Sequence, residues 1–405
     1  MKITDVQTIL LTGPSTNDPF FLEARQLRSV ALIEIHTDGP HTGVGESYAG
    51  YFCPEVVPAI VDFYRPILLD ADPGDVHMLT RRMAQCGAYW SRVGLGTAVL
   101  AGIEAALWDL KGKLLGLPVY ELLGGRRHDR LLAYATGGVS NWPPDRLKAK
   151  IDFYLGLGFR AFKVGAGYYD AATHDAVPAP STSAIVEIEA GKAALMRAQV
   201  GPDIAILMDG HMGNPLGAAW DLATARAVLK ALEPFDLFFF EEPLPYTDPW
   251  GYGELNRSTS IPIAGGECLT TLDEFRQFAD QDGFAIAQPD AAWTGGLGEF
   301  MRIAHMFDSR KQQIATHSWG AGVAQMQNLH AGFAAPNTAI LETPPAPGPL
   351  HTELWGESFV MRDGYLLPPE QPGLGVRLTD AIKAKYPFVP GSGEFNSVPG
   401  KLLKT

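Results

Sequence analysis

A chain of 405 residues, 46% hydrophobic and 19% charged, has the composition of an ordinary globular protein and is long enough to form two domains. A net charge of −13 with no basic run excludes a nucleic-acid surface. No stretch is apolar and long enough to span a bilayer, the first residues carry no signal-peptide pattern, and Cys53, Cys86 and Cys268 match neither a disulfide framework nor a zinc site. No nucleic-acid or membrane partner is expected, and cytoplasmic residence follows by default.

In chain order, Ile3 to Leu11 and Val30 to Thr37 predict strands. Asp38-Gly39 turns into His41 to Ser47, giving a small antiparallel meander. Gly13 to Arg25 is polar, contains Pro14 and Pro19, and reads as a loop. Helices are predicted over Pro54 to Leu68, Val76 to Gln85 and Gly96 to Leu115. The last has Val99, Leu100, Ile103, Leu107 and Leu110 on one stripe and is stopped by Gly116 and Pro118.

From Leu131 a βα rhythm begins. LLAYA is its first strand, Pro144 to Leu157 a helix, and FRAFKV a strand ending at Lys163. A long Gly/Tyr/Asp/Pro/Ser loop, Gly165 to Ser183, has the character of a lid. Three apolar runs then each end in a carboxylate: AILMD at Asp209, LFFFE at Glu241 and PIAGGE at Glu267. Ala218 to Leu232 and Trp250 to Asn256 read as the helices between them. AIAQPD ends at Asp290, QQIATH at His317 and AILE at Glu342, so eight strands can be counted. Short apolar runs alternating with helices imply parallel strands buried on both faces, and in a parallel barrel the C-terminal strand ends meet at one face. The Pro/Gly-rich tail from Gly348, with strand-like pieces at Ser358 to Met361 and Tyr365 to Leu367, is expected to return to the N-terminal part.

Three converging carboxylates repel one another unless a divalent cation sits among them, and oxygen-only ligation favours Mg²⁺ over Zn²⁺. Any one of these acids alone is as well read as a strand-end or helix-capping residue; three in consecutive units favour a metal site. Lys163, the triad, Asp290, His317 and Glu342, with His211 two beyond Asp209, suit abstraction of a proton alpha to a carboxylate. Mg²⁺ and Lys163 would offset the charge that develops. His317 is the better candidate for the base, because Asp290 on the preceding strand can hold one ring nitrogen. In extended geometry His211 would point the same way as Asp209, as a general acid or as a contact to the metal site. Glu342 either binds substrate or pairs within the site. His36, His41, His77, His128, His330 and His351 lack such a context and read as structural.

These residues fall in motifs: Ala101 to Gly125, then FKVG, MDGH, FEEPLP, GGE, QPDAAWTGG, ATHSWG and PGLG (Pro372 to Gly375). Over nearly the whole chain they resemble the enolase superfamily, within it the mandelate racemase subgroup. The resemblance implies an α/β fold, a modified TIM barrel (β/α)7β with an α+β capping domain formed by the N-terminal part and the C-terminal tail. We place the divisions at 1–128, 129–345 and 346–405. It also implies Mg²⁺ on Asp209, Glu241 and Glu267, a His317–Asp290 dyad, specificity loops at Gly13 to Arg25 and Tyr48 to Cys53, and a homo-oligomer. A Lys or His base beside Mg²⁺ is the known pattern of such sites.

One departure from the family pattern matters. Where relatives often carry Lys-x-Lys, this chain reads Lys163-Val164-Gly165, so the second base is missing. Two-base racemisation and cycloisomerase-type chemistry are therefore disfavoured. The remaining pattern is similar to the galactonate and mannonate dehydratase branches, which implies an acid-sugar dehydratase acting on a small carboxylate substrate. Three other readings stand beside it: an epimerase or racemase whose second base comes from Tyr168, Tyr169 or His174; a catalytically silent binding protein; and an aldolase using Lys163 as a Schiff base.

Overall fold

The computed structural model describes residues 1–21, 27–137, 144–166, 181–213 and 219–392. The N-terminal meander is present as β1 (Ile3–Pro14), β2 (Leu27–Thr37) and β3 (Gly43–Ser47), antiparallel and in that order. β1 runs three residues beyond the expected end at Leu11, because Thr12 to Pro14 continue the ladder against Ser29 to Leu27. The helix Leu95–Leu115 lies so close to β3 that a Cβ at Gly43 would stand 2.1 Å from the Ala106 carbonyl oxygen, and one at Gly45 2.1 Å from that of Gly102. The two glycines of the HTGVGES stretch are thus the condition for this contact.

The eight counted strands exist as β4 (Leu131–Thr136), β5 (Ala161–Gly165), β6 (Ala205–Asp209), β7 (Phe239–Glu241), β8 (Ile263–Gly265), β9 (Ile286–Ala287), β10 (Gln313–Thr316) and β11 (Thr338–Thr343). Each pairs parallel with the next, and β11 pairs parallel with β4 to close the barrel. Helices fill the seven connections, several with side-chain caps: Ser181 accepts from Ala184 N–H, and Asp248 from Gly251 N–H. The helix expected from Ala218 begins instead at Leu222, where the Asp221 carboxylate accepts the Thr224 N–H and fixes the first turn.

Strand alternation divides the barrel residues into two sets. Tyr134, Ala161, Leu207, Phe239, Ala264, Ile286, Ala315 and Ile340 form a separate apolar cluster that plugs the interior. Their neighbours Ala135, Phe162, Val164, Met208, Phe240, Ala287 and Leu341 belong to the outer core under the helices. The plug mixes three alanines with larger side chains, and Tyr134 meets Phe239 edge-on at 6.0 Å.

The tail departs in part from expectation. Its hairpin, β12 (Met361–Arg362) and β13 (Tyr365–Leu366), pairs antiparallel with β4 and so extends the barrel sheet. On either side of it the chain reaches the N-terminal part. Before it Gly348 N–H donates to the Ser15 carbonyl and Pro347 bridges Thr16. Beyond it Leu374 N–H donates to Asp109, Lys383 pairs with Glu34 at 2.7 Å, and Thr12 N–H donates to the Tyr386 carbonyl. Two buried glutamates tie the layers together. Glu46 of β3 accepts the Ala321 and Ala324 N–H groups at the start of the barrel helix Gly322–Ala334. Glu104 accepts those of Leu297 and Gly298 at the start of Leu297–Ser309. After β1, Asp18 is buried and accepts from Tyr154 Oη at 2.7 Å, which pins that loop to the helix Pro144–Gly156 beside the buried Lys150.

Candidate active site

Two residues beyond each plug position, the same inward face carries Thr136, Lys163, Asp209, Glu241, Gln288, His317 and Glu342. The eighth unit needs a different solution. Gly266 has φ +119°, and a Cβ there would lie 2.5 Å from Phe275, in the outer core. The glycine therefore shifts the alternation by one residue, and Glu267 takes the inward place. The site is a ring laid directly on the plug, with Lys163 Nζ 5.7 Å from the centre of the Tyr134 ring.

Lys163 Nζ stands 2.7 Å from Glu241 Oε2, 3.0 Å from Asp209 Oδ2 and 3.3 Å from Glu342 Oε1. His317 Nδ1 lies 2.8 Å from Asp290 Oδ2, and its Nε2 faces Glu267 Oε2 at 3.7 Å. Asp290 Oδ1 accepts from Ala292 N–H and from Asn328 Nδ2, both at 2.8 Å. Asn328 in turn accepts the Ala291 N–H through Oδ1, which fixes its amide orientation. Glu342 Oε2 accepts the Ser318 N–H at 2.6 Å.

Asp209, Glu241 and Glu267 each present one carboxylate oxygen within 4.8 Å of the other two, and buried Glu241 Oε1 has no hydrogen-bond partner among the described residues. Burial first, and repulsion from Asp209 second, hold Glu241 well above the usual carboxylate range. Burial, with Glu242 and Asp209 nearby, pushes Glu267 up to about 8. Burial opposes the His317 imidazolium, yet Glu267, Asp290 and Glu342 raise it to about 10. A cation among the three acids would relieve each of these strains, and a donor set made only of oxygens fits a divalent ion. A second grouping, Glu242, Glu267 and Cys268, fits less well, since Glu242 already accepts from Gly213 N–H and Tyr246 Oη.

Comparison with known proteins matches residues 7–124 to the N-terminal domain of mandelate racemase and muconate lactonizing enzyme, and residues 147–382 to the enolase C-terminal domain-like family. The chain belongs to the mandelate racemase/muconate lactonizing enzyme family of the enolase superfamily. It is 29% identical to an arabinonate dehydratase of Saccharolobus solfataricus, over 95% of this chain and 99% of that one. It is 31% identical to a D-galactonate dehydratase of Ralstonia nicotianae, over 87% and 89%. Among solved structures it resembles the 3,6-anhydro-D-galactonate cycloisomerase of Zobellia galactanivorans, with TM-score 0.81, 28% identity and coverage of 95% and 99%.

For a member of this family, the expected site residues are nearly all brought together; His211 is the partial exception. It lies past the end of β6 with φ +49°, so the extended geometry expected of Asp209-Gly210-His211 does not hold. The backbone turns because Gly210 N–H donates to the Glu241 carbonyl and Met212 N–H to that of Glu242. His211 still places Nε2 3.3 Å from Asp209 Oδ2, with its side chain 40% exposed. Tyr168, Tyr169 and His174 lie outside the described residues.

The ring also has supports that the motifs did not announce. Tyr246 Oη donates to Glu242 and accepts the Gly266 N–H at 2.6 Å, which holds the turn before Glu267. Tyr48, from the expected specificity loop, packs its ring 5.3 Å from that of His317 and meets Tyr51, Phe52 and Trp293. Glu242 sits beside a chosen carboxylate and Gln288 two residues before Asp290, so adjacency and period-two spacing were the available signals.

Proposed function

We propose that the chain is a Mg²⁺-dependent acid-sugar dehydratase, a hydro-lyase that removes the proton alpha to a carboxylate and expels the 3-hydroxyl to leave a 2-keto-3-deoxy acid. The observation that carries the reading is the buried His317–Asp290 pair facing Glu267 across the three-carboxylate cluster, with glycine where a second lysine would stand on β5. The relatives named as arabinonate and D-galactonate dehydratases support it. Asp209, Glu241 and Glu267 would hold Mg²⁺, which when bound supplies positive charge that acidifies the C2 proton of a carboxylate substrate.

The remaining chemistry belongs to side chains. Asp290 holds His317 Nδ1, and Nε2 points toward the site. Once a cation among the three acids offsets the Glu267 charge that favours the imidazolium, Nε2 is free to take the C2 proton. Lys163 gives up Glu342, the longest of its three contacts, to pair with the substrate carboxylate as negative charge moves onto it. The C2 electron pair forms the C2–C3 double bond as the C3–O bond breaks. His211 protonates the departing hydroxyl so that it leaves as water. The enol then takes a proton at C3 and releases its hydroxyl proton to become the 2-keto acid. Glu342 serves as the partner that holds Lys163 before the substrate carboxylate arrives.

No helix among the described residues is long and apolar enough to cross a membrane. Cytoplasmic residence, homo-oligomeric assembly and domain divisions near residues 128 and 345 belong to the same proposal. The test is a screen of the Mg²⁺-loaded protein against mono- and diacid sugars for 2-keto-3-deoxy products, with a parallel run in D₂O. A keto product from one stereochemical group is expected. Inversion or exchange at C2 without keto product would make the enzyme an epimerase.

A further inference from the structure

Gln288 is fully buried, yet among the described residues neither its Oε1 nor its Nε2 has a hydrogen-bond partner. Its backbone is in place: Gln288 N–H donates to the Gly265 carbonyl at 2.9 Å, continuing the β8–β9 ladder past Ala287. Ile286 lies in the barrel plug and Ala287 in the outer core, so alternation turns the Gln288 amide inward. On the ring it falls between the strand bearing Glu267 and the strand bearing His317. A buried amide without partners is costly, and such groups persist where a ligand completes them.

The chemistry of the amide narrows the ligand. Lys163 only donates and the ionised carboxylates only accept, whereas Gln288 presents an acceptor and a donor side by side. A 2-hydroxy carboxylate presents the complement, a hydroxyl donor beside a carboxylate acceptor. We propose that Gln288 is a specificity residue that reads the 2-hydroxyl of the substrate: Oε1 accepts from that hydroxyl, and Nε2 donates to the adjoining carboxylate oxygen. This deepens the reading of the site as one for hydroxylated acids and rests on it for the placement of the carboxylate. The enzyme thereby selects 2-hydroxy acids over 2-deoxy acids before any proton moves.

The experiment measures equilibrium binding of glycerate and 3-hydroxypropanoate, which differ only in that the second lacks the 2-hydroxyl, to the Mg²⁺-loaded protein by NMR titration. The native protein is expected to prefer glycerate by about ten-fold, one hydrogen bond's worth. Gln288→Leu is expected to abolish that preference: 3-hydroxypropanoate, which loses only the carboxylate contact to Nε2, weakens by about ten-fold, glycerate by about ten-fold more, and Mg²⁺ affinity is unchanged. Gln288→Met, unbranched and of similar length, serves if the Leu variant does not fold. Either variant should raise the Tm of the ligand-free protein, because an apolar side chain replaces an unsatisfied amide; a merely structural glutamine would lower it. No native preference for glycerate, a preference that survives in the variant, or a loss of Mg²⁺ affinity would each overturn the assignment. Failure of the dehydratase reading shows separately, as an absence of keto product with the glycerate preference intact.

Discussion

His317 owes its position to a chain of contacts rather than to its strand alone. Asp290 holds Nδ1, and Asn328 and the Ala292 N–H hold Asp290. His317→Asn should therefore abolish turnover, with Mg²⁺ affinity by calorimetry left within about two-fold, since the amide still accepts or donates at the same place. Asn328→Leu removes one donor from a buried carboxylate and strands the Ala291 N–H, so urea denaturation should show a loss of about 1–3 kcal/mol. His211→Asn should suppress elimination while C2 exchange with D₂O persists; equal loss of both would remove it as the acid. At this scale the sequence was legible where chemistry recurs at strand ends. It was opaque for Gln288 and Asn328, whose meaning comes from what lies across the barrel, and for the backbone turn at His211, which hydrogen bonds to the neighbouring strand impose.

Elements were readable wherever both faces of a strand are apolar. β6 was delimited to the residue, while β9 is only two residues long and the expected strand overran it to Asp290. Nothing in the local pattern announces that Gly266 shifts the alternation; only its contact with Phe275 does. The two interlayer glutamates make a sharper prediction. Burial above all raises Glu46 to about 7, against its two backbone hydrogen bonds, and burial likewise raises Glu104 to about 7. A carboxyl with a raised folded pKa binds more protons folded than unfolded, so its contribution to stability falls as pH rises from about 4.5 to 7 and is flat above. In Glu46→Gln and Glu104→Gln that slope is absent. Their stability deficit relative to the native protein should be greatest near pH 4.5 and shrink toward pH 7, as followed by thermal melts across that range.

For the molecule as a whole, the loop after β1 meets the barrel at Asp18, and the aromatic group around Tyr48 lies over His317. Asp18→Leu leaves the carboxylate cluster untouched but frees that loop from Tyr154. It should raise KM several-fold with Mg²⁺ affinity unchanged, as steady-state kinetics and calorimetry would show. Addition of Mg²⁺ at about a hundred times its Kd should stabilise the native protein by about 2.7 kcal/mol, an effect EDTA removes. The ring has a further consequence for how the chain comes to be folded. Its members arrive one per strand, and the first and last strands join only through pairs such as Ala133 with Leu341. Among the eight barrel strands no other pairing spans as much of the chain, and distant pairings form late. During refolding, affinity for Mg²⁺ should appear with the slowest phase and not before, so the metal serves as a clock that strikes when the circle of strands is complete.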